Sequence, residues 1–148
     1  MTTVRWALAS LHLIALGIGM GAIWGRSRAL KGALDGGAVQ RALTADVWWG
    51  IAALIWLATG LWRLFAGTDK NTSYYMTSHW FFAKMGLFVL IVLLEVWPAV
   101  TFARWRFARS RGGMPDTRSA GTLSTISTVQ TLLVAVIVGL AVAMARGY

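Results

Sequence analysis

Apolar residues fall into four blocks along the chain, roughly 4–24, 47–66, 80–103 and 123–145, separated by polar stretches. Each block is about 20 residues long. At 1.5 Å per residue, a helix of that length crosses a hydrocarbon core about 30 Å thick. Lipid offers no water to backbone amides, so such a span must satisfy them internally, as helix does. The pattern predicts an all-α integral membrane four-helix bundle. A single transmembrane domain, 1–148, uses the whole chain and leaves nothing over for a soluble domain.

The connections differ in character. The first, about 25–46, is long for a bundle loop. Leu30, Leu34, Val39 and Leu43 suggest a short amphipathic helix lying at the cytoplasmic interface, broken at Gly36-Gly37. Thr44 and Asp46 then read as the N-cap and first-turn acid of the second span. The second connection, Gly67 to His79, is short and polar. Its Asn71-Thr72-Ser73 matches a glycosylation sequon, which carries no meaning in the prokaryotic chain that the sequence style suggests. The third contains the turn signal Gly112-Gly113-Met114-Pro115. Gly17, Gly21 and Gly25 share one face of the first span, a spacing that lets helix backbones approach closely. The expected use is packing within the bundle; the sharper alternative is the seam of a homo-oligomer.

Charge sets the topology. The chain is 57% hydrophobic and 13% charged, against about 25% charged in soluble domains. Fourteen Lys and Arg against five acids give +9. Nine of the basic residues lie in or beside the first and third connections; five lie on the opposite side. By the positive-inside rule, both termini face outward and loops one and three face the cytoplasm. The expected location is multi-pass in a bacterial cytoplasmic (inner) membrane. The basic charge is assigned to topology and anionic lipid headgroups, so the expected partner is the bilayer and not nucleic acid. The absence of cysteine excludes disulfides, thiolate metal sites, covalent haem and cysteine-ligated clusters. Residues 1–24 run too long for a signal peptide and have no small-x-small cleavage pattern, so they read as a retained helix. Of the nine Trp, Trp6, Trp62 and Trp80 fit an outer aromatic belt, and Trp24, Trp48, Trp49 and Trp105 an inner one. Trp56 and Trp97 lie deeper and need partners for their N–H groups.

Few titratable groups lie at membrane depth, and each is a functional candidate because lipid cannot solvate it. His12 sits in the first span. A neutral imidazole can ligate a metal or haem iron, or relay protons; the plain alternative is a core histidine bonded to a neighbouring helix. Glu95 is the deepest charge, beside Trp97-Pro98. A bare carboxylate there must be paired or protonated, and Pro98 predicts a kink, so acid, indole and kink together suggest a pocket. Lys84 lies eleven residues earlier on the same face, about 16 Å away along the axis, so the two can line opposite ends of one cavity. Its alternative is snorkelling to headgroups. His79, in the outer loop, is the other imidazole and can approach His12 only if that loop folds back. The fourth span opens on a polar stripe from Thr122 to Thr131, and by depth Gln130 and Thr131 are expected to meet Glu95.

Leu11-His12, Arg28, Trp48-Trp49-Gly50, Phe82-Ala83-Lys84-Met85 and Leu94-Glu95-Val96-Trp97-Pro98 together resemble a family of small bacterial four-helix predicted membrane proteins of unknown function, over nearly the whole chain. More distantly, the layout is similar to the HemJ-type protoporphyrinogen oxidases, in which a Leu-His in the first helix, an Arg after it and a Lys opening the third helix match His12, Arg28 and Lys84. That resemblance implies haem b near His12, with Arg28 as a cofactor-binding residue and oxidative porphyrin chemistry. Phe82 and Glu95 stand where that family carries further histidines. Three readings follow. One is a haem- or porphyrin-associated redox protein with His12 as ligand or proton-transfer group. The second is a non-enzymatic carrier, proton relay or complex subunit with His12, Lys84 and Glu95 along a polar path. The third is a bundle whose polar groups serve only its own stability. In an enzyme, Glu95 and Lys84 would be the catalytic groups.

Overall fold

A computed structural model of the chain describes residues 2–65 and 78–146. Four helices account for nearly all of them: α1 (Thr2–Ala29), α2 (Gly36–Phe65), α3 (His79–Ser110) and α4 (Ala120–Arg146). Each is long and apolar enough to cross a membrane. The sequon at Asn71 and most of the second connection lie outside the described residues.

Every helix runs past its apolar block at the end bearing loops one and three. The largest extension is α2, which begins at Gly36 instead of residue 47. Asp35 causes this. Its Oδ1 accepts a hydrogen bond from the Ala38 amide at 2.7 Å, capping the helix three residues downstream. The separate amphipathic helix expected in loop one is therefore not a distinct element. Val39 and Leu43 lie in the opening turns of α2, Gly36-Gly37 start that helix, and Asp46 is an interior residue instead of a cap. α3 runs on through Pro98, whose ring is fully buried.

α1 packs most extensively on α2 and also on α4; α3 packs on α4; α2 and α3 scarcely meet. α1 and α3 thus stand diagonally across the bundle, and only long side chains span the gap between them. Two apolar clusters fill the interior. One, near loops one and three, comprises Leu30, Val39, Ala42, Leu43, Phe102, Trp105, Ala120 and Leu123. The other, further along the bundle, is built on Ile23, Trp49, Ile91, Val134 and Ile137.

Two expectations about interfaces change. Trp49 and Trp105 are buried core residues and not belt residues; the Trp105 indole donates to the Asp116 carbonyl at 3.1 Å and so holds the third loop against the bundle. A Cβ built on Gly17, Gly21 or Gly25 would meet nothing within 4 Å, so the GxxxGxxxG face is not used for packing inside the bundle. The close approach is made instead by Gly19, where a Cβ would lie 3.3 Å from both the Ala52 Cβ and the Trp49 ring.

Candidate functional site

A buried arginine organises the interior. Arg26 lies between the two apolar clusters, near the end of α1, and is fully buried. An unpaired charge there would be prohibitive, and the neighbouring helices supply partners. Nη1 donates to Asp46 Oδ1 of α2 at 2.7 Å and to Glu95 Oε1 of α3 at 2.8 Å. Nη2 donates to Glu95 Oε2 and to Gln130 Oε1 of α4, both at 2.9 Å. Nε donates to the Ser127 hydroxyl of α4 at 2.9 Å. A guanidinium has five N–H donors, so every one is used, and the pairing with Glu95 is bidentate, the strongest arrangement available to this pair. Phe102 lies against the guanidinium plane, 5.3 Å from ring centroid to Cζ.

Arg26 is thereby the junction of all four helices. Its reach across the diagonal ties α1 to α3, which share no close backbone approach. The second oxygen of Asp46 accepts a hydrogen bond from Arg106 Nη2 of α3, and this pair bridges α2 and α3, the two helices that pack least. Two guanidinium and two carboxylate groups make the cluster neutral when all are ionised. Arg106 is 40% exposed and Glu95 22%, so the cluster is sealed at Arg26 and open at its rim. Gln130 completes it: its Nε2 donates to Glu95 Oε2 at 2.8 Å and to the Ile91 carbonyl at 3.2 Å. Alongside, Ser27 meets Ser124 and Thr128 at 3.1 and 2.7 Å.

The sequence pointed to part of this. Glu95 is paired, and Gln130 meets it as the depth argument predicted. Thr131 does not; its hydroxyl returns to the Ser127 carbonyl at 2.8 Å. The pocket expected at Glu95 and Pro98 is filled by the Arg26 side chain. Arg28 is exposed, its guanidinium 5.6 Å from the Trp24 ring centroid. Two residues turn a helix by about 200°, so Arg26 points inward where Arg28 points out. Arg26 and Arg106 were legible only as loop charges. The available signal was that Arg26 is fourteen residues from His12, close to four whole turns, and so shares its face.

The second polar centre is at the other end of α1. His12 Nδ1 lies 2.8 Å from Thr59 Oγ1 of α2. That hydroxyl donates its single proton to main-chain carbonyls of its own helix, at 2.7 Å to Ile55 and 3.1 Å to Trp56. The imidazole is then the donor at Nδ1, which leaves Nε2 with the lone pair. Trp56 stacks on the ring at a centroid separation of 5.5 Å, and Gly60 gives the imidazole room, since a Cβ there would come within 3.3 Å of its Cε1. Arg63 and Lys84 are near enough for their charges to act on the imidazole. Lys84 therefore lies toward the His12 end of α3 and outside the Glu95 cluster. His79 is exposed at the start of α3.

Between the two centres lies the apolar layer of Ile23, Trp49, Ile91, Val134 and Ile137. Fourteen residues of helix put His12 and Arg26 about 21 Å apart along α1. Among the described residues, this layer separates His12 from Glu95. No group of three or more His, Asp or Glu side chains placed to hold a metal ion occurs among the described residues. The narrow cavity between α1 and α2 bounded by Ala15, Leu16 and Trp56 measures about 10 Å³, room for about one water.

The whole arrangement occurs in a chain whose residues 4–148 match the family described as predicted membrane protein DUF2214; the chain belongs to that family. No curated protein and no solved structure matches it.

Proposed function

From membership of a family of multi-pass membrane proteins, we propose that this protein is a non-enzymatic proton relay or small carrier in which Glu95 is the exchanging group. One observation carries this reading: Arg26 is shared between two carboxylates. A buried ion pair made of one acid and one arginine resists protonation, because neutralising the acid strands the buried cation. Here Asp46 remains paired to Arg26 when Glu95 takes a proton. The 22% exposure of Glu95 gives the proton a route to the rim. His12, with Nδ1 held by Thr59 and Nε2 open to exchange, supplies a titratable group beyond the apolar layer. That layer closes the path in this conformation, so transfer requires a second arrangement in which the helices part. The weakly packed α2–α3 seam, held by Asp46 and Arg106, is the place where parting costs least.

Protein reconstituted into vesicles containing a pH-sensitive dye tests this. A proton gradient should collapse faster with the wild type than with empty vesicles, and Glu95→Gln should abolish the difference while circular dichroism shows the same helix content. Flux that survives Glu95→Gln, or a wild type no faster than empty vesicles, overturns the proposal.

A second reading places haem b at His12, and the Nδ1–Thr59 contact favours it, since a ligating imidazole is normally held through its other nitrogen. Protein expressed with ample haem should then show a Soret band that His12→Ala removes; its absence ends this reading.

A further inference from the structure

On the outer side of the α1–α2 pair lies a groove of about 410 Å³, lined by Ile18 and Ala22 of α1 and by Gln40, Arg41, Thr44, Ala45 and Trp48 of α2. It shares no residue with the Arg26 cluster. Its character changes along its length. Arg41 to Trp48 spans seven residues, or about 10 Å of helix. The end nearer loop one carries Gln40, Arg41 and Thr44, all exposed. The other end is Ala45, Ala22, Ile18 and the exposed face of Trp48. Such a sequence of surfaces, cation and hydrogen-bond donors first and apolar wall after, matches a phospholipid read from its phosphate down to its upper acyl chain.

Arg41 is the residue that decides the ligand. Arg26, Arg106 and Arg118 are engaged with carboxylates, and Arg28 and Arg111 lie over Trp24 and Phe107. Arg41 has neither an ion pair nor an aromatic partner among the described residues. Its Nη1 lies beside Gly37, as does the Asp35 carboxylate, whose Oδ1 accepts from the Ala38 amide. Phosphate offers the direct bidentate partner that this guanidinium lacks. The small residues Ala22 and Ala45 keep the apolar end open. A lone arginine at the headgroup level would draw anionic lipids in general; the groove adds a fixed seat for one.

We propose that the α1–α2 groove is a specific site for one anionic phospholipid, with its phosphate on Arg41, Gln40 and Thr44 and an acyl chain along Ile18, Ala22, Ala45 and Trp48. This does not depend on the relay reading, because none of these side chains belongs to it.

Native mass spectrometry of detergent-purified protein titrated with phosphatidylglycerol or phosphatidylcholine tests the site. One tightly held phosphatidylglycerol per chain is expected, retained about fivefold better than phosphatidylcholine, as one well-placed basic residue provides. Arg41→Gln should erase that preference. Ala45→Phe, which fills the apolar end, should lower retention of both lipids. Arg104→Gln, an exposed arginine outside the groove, should change neither. Equal retention of the two lipids by the wild type overturns the proposal. So does an equal loss of preference in Arg41→Gln and Arg104→Gln, which would mean diffuse attraction without a seat, or Ala45→Phe leaving retention unchanged. Helix content by circular dichroism confirms that each variant is folded before it is scored.

Discussion

Arg26 shows how one side chain can set the interior of a bundle. Its five donors meet four partners from three other helices, so its loss leaves the Glu95 carboxylate without a cation and takes from Asp46 one of its two. Breaking a buried pair at one partner costs about 3–5 kcal/mol. Arg26→Ala should therefore lower the melting temperature in detergent more than Glu95→Gln or Asp46→Asn, either of which leaves the guanidinium one ionised partner. Equal shifts in the three variants would mean that the cluster is not organised around Arg26. A contrasting case is Asp116, in the third loop and fully exposed, where Arg118 donates to the carboxylate from its side chain and its amide. The Arg118 hydrogen bonds hold this carboxyl down at about 2, from an ordinary 3.8. Because the folded value is the lower one, the contact stabilises the loop above pH 3.8 and is lost as pH falls through 2. A carboxyl titration by NMR should give a midpoint near 2 in the wild type and move to the ordinary range in Arg118→Gln. The effect on overall stability should be slight, as for other exposed pairs.

At the scale of elements, the glycines of α1 divide by face. Gly19 sits against Ala52 and Trp49; Gly17, Gly21 and Gly25 meet nothing within the chain. Gly19→Ala forces the α1–α2 contact apart and should destabilise by about 1–3 kcal/mol, as overpacking does. Gly21→Ala meets no such obstacle and should gain up to about 1 kcal/mol from helix propensity. Thermal melts of the two variants decide. A fall in Gly21→Ala that depends on protein concentration would show that this face packs against a second copy. The α2 start belongs to the same scale. Its boundary was misplaced by about ten residues because Thr44 and Asp46 have the composition of a cap, while the actual cap, Asp35, precedes two glycines that read as a break. Helix persists through that stretch because Val39, Ala42 and Leu43 bury themselves against Leu30, Phe102 and Leu123, a tertiary gain that outweighs the poor propensity of the glycines.

Over the whole molecule, polarity is layered. An apolar floor packs Phe102 and Trp105 beneath the neutral cluster of Arg26, Asp46, Glu95 and Arg106. The second apolar layer, around Ile23 and Ile137, separates this from the His12 centre. The layers place titratable groups on both sides of one apolar seal. Among the described residues the α2–α3 seam has little packing and is bridged by the Asp46–Arg106 ion pair, so charge contributes much of its strength. This is the arrangement in which protonating one carboxylate can alter how two helices meet.

Four apolar blocks of spanning length were enough to determine an all-helical membrane protein, because lipid permits few other ways to satisfy a backbone. The same scarcity of solvent marked Glu95 and His12 as groups that must have partners, and helix depth was enough to name Gln130. Which groups meet was decided only by the tertiary structure. Arg26 and Arg28 are two residues apart and alike in sequence; helix rotation and packing against α2 and α4 send one to the centre and the other to the surface. Lys84 and Glu95 share a helix face, yet only Glu95 lies at the depth of Arg26 and Gln130. Partnership in a bundle follows from depth and rotation on several helices at once, and no single stretch of sequence contains that information.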